Sequence, residues 1–135
     1  MRAISDTGFV VAFLNRLDRH HGWAAEIALR ATEPFLTCEA VLAESAFLVQ
    51  SSSKVMALVQ RGFLKLAFEL PKNIEQVTAL AGRYDDRQPD LADLCLVRMS
   101  EIYTDHPILT VDEVDFRVYR RNGRETIPII CPPRI

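Results

Sequence analysis

Ala3-Ile4-Ser5-Asp6-Thr7-Gly8, followed by the almost wholly apolar stretch Phe9 to Leu14, reads as a short strand, a turn and a buried helix. The same grammar repeats outward from it. Asn15 to Gly22 is a polar connection, Trp23 to Ala31 resumes helical composition, and Glu33-Pro34 breaks it before the short strand Phe35-Leu36-Thr37. A strong helix opens at Thr37 or Cys38 and runs to about Gln50. Behind the Ser51-Ser52-Ser53 break, Lys54 to Gln60 is helical again and closes near Gly62. Leu64 to Leu70 alternates as a strand does and stops at Pro71. Lys72 to Tyr84 is helical, Asp85 to Pro89 is a polar loop, and Asp90 to Tyr103 is the next helix. His106-Pro107 leads into the strand Ile108-Leu109, which ends at Thr110-Val111-Asp112. A short helix around Val114 to Tyr119 and a last strand at Thr126 to Ile130 complete the pattern. Short apolar strands alternating with helices suit a parallel sheet covered on both faces, which makes the expected fold a small α/β sandwich.

Composition narrows the function classes. The chain has 135 residues, which suits one domain spanning 1–135, and its 49% hydrophobic and 25% charged residues are those of a folded protein. Sixteen Lys and Arg against eighteen Asp and Glu give a net charge of −2, which excludes a wholly basic nucleic-acid coat. That near-neutral total conceals a split. Residues 116–135 carry five Arg and one Glu, a local +4, and the first 115 residues carry a local −6. Cys38, Cys95 and Cys131 are odd in number and lack any C-x-x-C spacing, so they are expected to be buried free thiols rather than a disulfide framework or zinc site. No apolar run approaches the roughly 20 residues of a membrane span. Met1 to Asp6 reaches a charge too early for a secretory core, so the cytoplasm is the expected compartment.

Most acids lie where solvent is expected, and four do not. Asp6 and Asp112 each follow a strand at its C-terminal end. Glu44 is the only charge in Ala40 to Val49, and Asp93 the only one in Leu91 to Val97. A buried carboxylate costs several kcal/mol unless it is paired. Ligands of open parallel sheets collect outside the carboxyl ends of the strands, where Asp6 and Asp112 would point. Helices starting at that edge could bring Glu44 and Asp93 to it. Four carboxylates in one crevice need a cation, and oxygen-only donors favour Mg²⁺ or Mn²⁺. The chemistry that follows is metal-assisted work on phosphoryl or phosphodiester groups. Other roles compete. Asp6 could cap the first helix, and Asp90 is a natural N-cap with Asp93 as its capping-box partner. Asp115 is either a further ligand or a surface partner of Arg117. His20 and His21 read as exposed loop residues, and the Asp85-Asp86 pair as a solvated loop.

Ser5-Asp6-Thr7 with the apolar helix behind it, Leu42-Ala43-Glu44, Asp90-Leu91-Ala92-Asp93 and Ile108 to Phe116 together resemble the PIN-domain family. The likeness is to the VapC-like toxin ribonucleases of type II toxin–antitoxin pairs and covers nearly the whole chain. It implies a PIN-like three-layer sandwich with a short parallel central sheet flanked by helices. It implies a divalent-metal-dependent endoribonuclease in which Asp6, Glu44, Asp93 and Asp112 hold Mg²⁺ or Mn²⁺ and position a water against RNA. Thr7 and Thr110 would flank the pocket, either orienting a ligand or bonding the local backbone. A small antitoxin protein covering the acidic groove and a second copy in a homodimer are the implied partners. Leu94 departs from the small residue common in the family after the third acid.

Three other classes fail on particular residues. A receiver domain would want paired acids after the first strand and a late Lys, and there is no Lys after Lys72. An aspartyl phosphatase would want an acid at position 8, which is Gly. Phosphate-cradling glycine loops are missing. A degenerate PIN-like domain that binds RNA or protein without cutting is the remaining alternative. For the basic tail, the expectation is that some of Arg117, Arg120, Arg121 and Arg124 line the groove and hold RNA phosphates, the other reading being that they are solvated or pair with acids.

Overall fold

The computed structural model describes residues 1–134, so only Ile135 of the expected domain lies outside it. Strand β1 (Ile4–Ser5) leads into α1 (Thr7–Leu14) and α2 (His21–Leu29), and β2 (Phe35–Thr37) into α3 (Glu39–Val49) and α4 (Ser52–Gln60). Strand β3 (Leu64–Leu66) leads into α5 (Ile74–Arg83) and α6 (Leu91–Ile102). Strand β4 (Ile108–Leu109) is followed by α7 (Glu113–Val118), a hairpin of β5 (Arg120–Arg121) and β6 (Glu125–Thr126), and β7 (Ile129–Ile130). Among the described residues, no helix is long and apolar enough to cross a membrane.

The main sheet has the order β3-β2-β1-β4-β7, with every neighbouring pair parallel. From β1 the chain steps outward to β2 and β3, then returns across the sheet to β4 on the other side of β1. Right-handed crossovers therefore put α1 to α4 on one face and α5 and α6 on the other. Within each face α1 packs against α2 and α3, α3 against α4, and α5 against α6, while α3 also touches α6. The direction of winding reverses between β1 and β4. A crevice opens at such a reversal, at the carboxyl ends of the strands, and Asp6 and Asp112 follow those two strands.

The faces are apolar for reasons visible in the chain. Helix α1 has no polar side chain after Thr7, and Phe9, Val10 and Ala12 are fully buried. Phe9 packs edge-on to Trp23 and Phe35 at 5.6 and 5.5 Å between ring centres, and Phe13 stacks on Phe63 at 4.5 Å. Beyond the other face, Tyr119 meets Tyr84 and Phe116 at 5.1 and 5.5 Å. Cys38 and Cys95 are buried free thiols, and Cys131 is half-exposed.

Two strand expectations need correction. The strand expected over Leu64 to Leu70 stops at Leu66: its partner β2 ends at Thr37, whose carbonyl takes the last bond from the Ala67 N–H, and a 3₁₀ turn containing Pro71 begins at Leu70. The strand expected over Thr126 to Ile130 is two pieces. Glu125–Thr126 pairs antiparallel with Arg120–Arg121, and only Ile129–Ile130 joins the main sheet. Pro128 separates the pieces; it has no N–H to give a ladder, yet its carbonyl accepts from Ile108.

Candidate active site

Asp6 ends β1 and starts α1. Its backbone N–H donates to Leu109, one carboxylate oxygen accepts from the Thr7 N–H at 2.6 Å, and the other accepts from the Thr110 hydroxyl at 2.7 Å. Asp6 is thus a helix cap and a cleft residue at once. Thr110 does two things as well, because its hydroxyl oxygen also accepts from the Asp112 N–H at 2.9 Å. Glu44, half-buried on α3, accepts from the Thr7 hydroxyl at 2.5 Å. Asp90 caps α6 by accepting from the Asp93 N–H at 2.8 Å. The Asp93 carboxylate turns to Tyr119, whose hydroxyl donates to it at 3.3 Å. Asp112 caps α7, accepting from the Asp115 N–H at 3.1 Å.

These segments, distant in sequence, meet in one cleft of about 460 Å³ lined by Asp6, Glu44, Asp93 and Asp112 together with Asp18, Asp90 and Asp115. Asp93, Asp112 and Asp115 each offer an oxygen within 4.8 Å of the others. That spacing fits a single octahedral cation, whose bonds of about 2.1 Å place opposite ligands roughly 4.2 Å apart. An all-oxygen donor set suits Mg²⁺ or Mn²⁺ rather than zinc. The electrostatics ask for such a charge. Burial pushes the Asp6 carboxyl up to about 6 against the pull of Thr110 and Thr7. Burial, then the charges of Asp6, Asp90 and Asp112, push Asp93 up to about 8. Asp112 is raised by burial and by Asp115, and the Tyr119 hydroxyl is raised by burial and by Asp93.

No family model matches the sequence, and no curated protein matches it either. Among solved structures, VapC20 of Mycobacterium tuberculosis, described as a sarcin-ricin loop cleaving toxin, matches with a TM-score of 0.67 at 18% identity, over 76% of this chain and 83% of that one. The fold is PIN-like, a parallel five-strand sheet flanked by helices. The acidic cleft sits where the winding of the sheet reverses, with the strand-end residue Asp6 in its lining and the fully buried Thr110 bonded to it from behind.

The cleft also holds residues that the sequence leaves unassigned. Arg87 comes from a 3₁₀ turn between α5 and α6, and Tyr119 from the end of α7. His20 is half-buried in the cleft wall, so it is not the exposed loop residue expected, and its backbone N–H donates to the Asp18 carboxylate at 2.8 Å. His21 lies behind it, bonded through Nδ1 to the Ala12 carbonyl. Asp115 meets Arg87 at 2.9 Å rather than Arg117.

The basic tail lies off the cleft wall, contrary to the expectation for Arg117, Arg120 and Arg121. Arg117 pairs with Glu113 at 2.6 Å, and Glu113 also takes Arg134 at 2.7 Å. Arg120 folds back onto the carbonyls of Arg117 and Tyr119. Arg121 donates to the carbonyls of Ser100 and Thr104 at the end of α6 and pairs with Glu125. The reason is local: helix ends and neighbouring acids supply acceptors closer than the cleft.

Proposed function

We propose that the chain is a divalent-metal-dependent endoribonuclease, the toxin half of a type II toxin–antitoxin pair. RNA is its substrate, a small antitoxin protein its inhibitor, and a second copy of the chain its dimer mate. The observation that carries the reading is the meeting of four otherwise isolated acids, Asp6, Glu44, Asp93 and Asp112, in one cleft of a fold shared with a toxin described as cleaving the sarcin-ricin loop.

In this reading Asp93, Asp112 and Asp115 hold Mg²⁺ or Mn²⁺, with Asp6 and Glu44 beside them. A bound ion of this kind screens phosphate from carboxylate, lowers the pKa of a coordinated water and steadies the leaving oxygen. The chain's own residues prepare the site. Thr110 and the Thr7 N–H fix both oxygens of Asp6, and the Thr7 hydroxyl fixes Glu44 across the cleft. Tyr119 orients Asp93, and the Asp90 cap holds the first turn of α6 that carries it. Such supporting bonds keep carboxylates aimed without spending their charge.

The test is incubation of purified chain with structured RNAs and Mg²⁺ or Mn²⁺. Cleavage that EDTA abolishes is expected; cleavage unaffected by EDTA overturns the mechanism. Intact RNA together with a tightly bound RNA or protein would instead favour a binding module built on the same fold.

A further inference from the structure

Among the described residues, one guanidinium, that of Arg87, lines the acidic cleft. Arg87 reaches it from the turn Asp85–Arg87, where Gln88 in the left-handed region (φ 49°) redirects the chain toward α6. Its Nη2 donates to Asp115 Oδ1 at 2.9 Å, and Asp115 belongs to the trio whose oxygens lie within 4.8 Å of each other. The side chains of Arg87 and Asp115 are 35% and 39% exposed, so solvent screens the pair and it is easily exchanged. By contrast, Arg117, Arg120 and Arg121 are engaged away from the cleft.

Resting on the ribonuclease reading above, we propose that Arg87 is the phosphate-binding residue of this cleft, held by Asp115 until a divalent cation takes that carboxylate. A cation on the trio and a guanidinium on Asp115 compete for the same negative charge. Once Asp115 is drawn to the cation, Arg87 stands within the cleft with its planar fork free, and a phosphodiester is the anion its geometry matches in bidentate fashion. Metal and RNA then bind in a coupled way: the cation supplies its own charge and frees a second cation from the protein. In the metal-free state Arg87 instead offsets part of the repulsion among Asp93, Asp112 and Asp115.

The experiment uses the full chain carrying Asp6→Asn to stop cleavage, a fluorescein-labelled 20-nucleotide RNA, and Mn²⁺ followed by its electron paramagnetic resonance signal. Adding Arg87→Ala is expected to weaken RNA binding about tenfold with Mn²⁺ present, and to change it little without. It should lower the slope of log affinity against log salt by about 0.7, one phosphate contact to a single strand. It should also tighten Mn²⁺ binding, since a competitor for Asp115 is gone. Arg87→Lys should keep the salt slope and recover part of the affinity. Equal RNA affinity with and without Arg87, or Mn²⁺ binding weakened by Arg87→Ala, would overturn the proposal. If the Asp6→Asn parent binds Mn²⁺ and RNA while Arg87→Ala is without effect, only this inference falls. If the parent binds neither, and the chain with Asp6 intact binds neither, the ribonuclease reading falls with it.

Discussion

The hydroxyl of Thr110 donates to the carboxylate of Asp6 at 2.7 Å, joining residues 104 apart in the chain at the ends of two adjacent parallel strands. Both side chains are buried, and the same hydroxyl accepts the Asp112 N–H, so one threonine fixes acids from both strand ends. Replacing it by Val keeps the shape and leaves one carboxylate oxygen of Asp6 and the Asp112 N–H each without a partner, while the Thr7 N–H still holds the other oxygen. We expect Thr110→Val to cost about 1–3 kcal/mol in urea unfolding and to weaken Mn²⁺ binding about 10–100-fold. Unchanged Mn²⁺ affinity by titration calorimetry would show that the bond does not support the site.

Metal-free stability should fall as pH rises, opposite to the usual behaviour of carboxylates. Burial raises Asp6 from 3.8 to about 6, so the folded chain keeps a proton that the unfolded chain releases. The stability from this group is full below pH 3.8 and lost as pH climbs through 6, a loss of roughly 3 kcal/mol. Asp93 carries the decline on toward pH 8. Thermal unfolding in EDTA is expected to show Tm dropping across this window, with Asp6→Asn removing its lower part and Mn²⁺ reversing the decline. A Tm that rises with pH in EDTA would contradict the account.

Asp93→Asn separates stability from activity. Removing a charge that burial and three neighbouring carboxylates oppose should raise the Tm in EDTA at pH 8 while abolishing the gain that Mn²⁺ gives the parent. A variant less stable than the parent under those conditions would mean that Asp93 is held charged by something other than a cation.

Gly8 marks how tightly the cleft is built. A Cβ at this position would strike the Val111 side chain, which belongs to the loop carrying Asp112. Gly8→Ala is therefore expected to cost about 1–3 kcal/mol through overpacking and to weaken Mn²⁺ binding by displacing that loop. Wild-type unfolding and Mn²⁺ titration curves for the variant would show the contact to be slack.

The acids that form the cleft could be read from the sequence because Glu44 and Asp93 interrupt apolar runs and Asp6 and Asp112 end apolar strands. Each violates its local pattern, and side chains that do so tend to sit at functional sites. Arg87, His20 and Tyr119 violate nothing locally; they enter the cleft because turns and helix packing bring them there. The basic tail is the converse case. Its local charge of +4 is plain in the sequence, but acceptors nearer than the cleft take it up: Arg117 and Arg120 bond groups within four residues, and Arg121 bonds carbonyls at the end of α6 that folding brings to it. The β5–β6 hairpin had a readable sign in Asn122-Gly123, both at positive φ of 52° and 82°, where that pair of residues favours a tight reversal. The run of apolar residues up to Ile130 outweighs it when only periodicity is read.

The partners follow from the proposed function. Expression of the chain alone should arrest growth, Asp6→Asn should not, and co-expression of a neighbouring short reading frame should relieve the arrest. Light scattering of the purified chain should give twice the mass of one chain. Harmless expression of a soluble, RNA-cleaving chain would remove the toxin role, and a monomer at micromolar concentration would remove the dimer.

The most direct test of the central claim is the rate of cleavage of one end-labelled structured RNA against Mn²⁺ concentration, for the parent and for Asp6→Asn, Glu44→Gln, Asp93→Asn and Asp112→Asn. Saturable Mn²⁺ dependence, no cleavage in EDTA, and losses on the order of a hundredfold or more in each variant are expected. Cleavage that persists in EDTA, or full activity in Asp6→Asn, would contradict that claim.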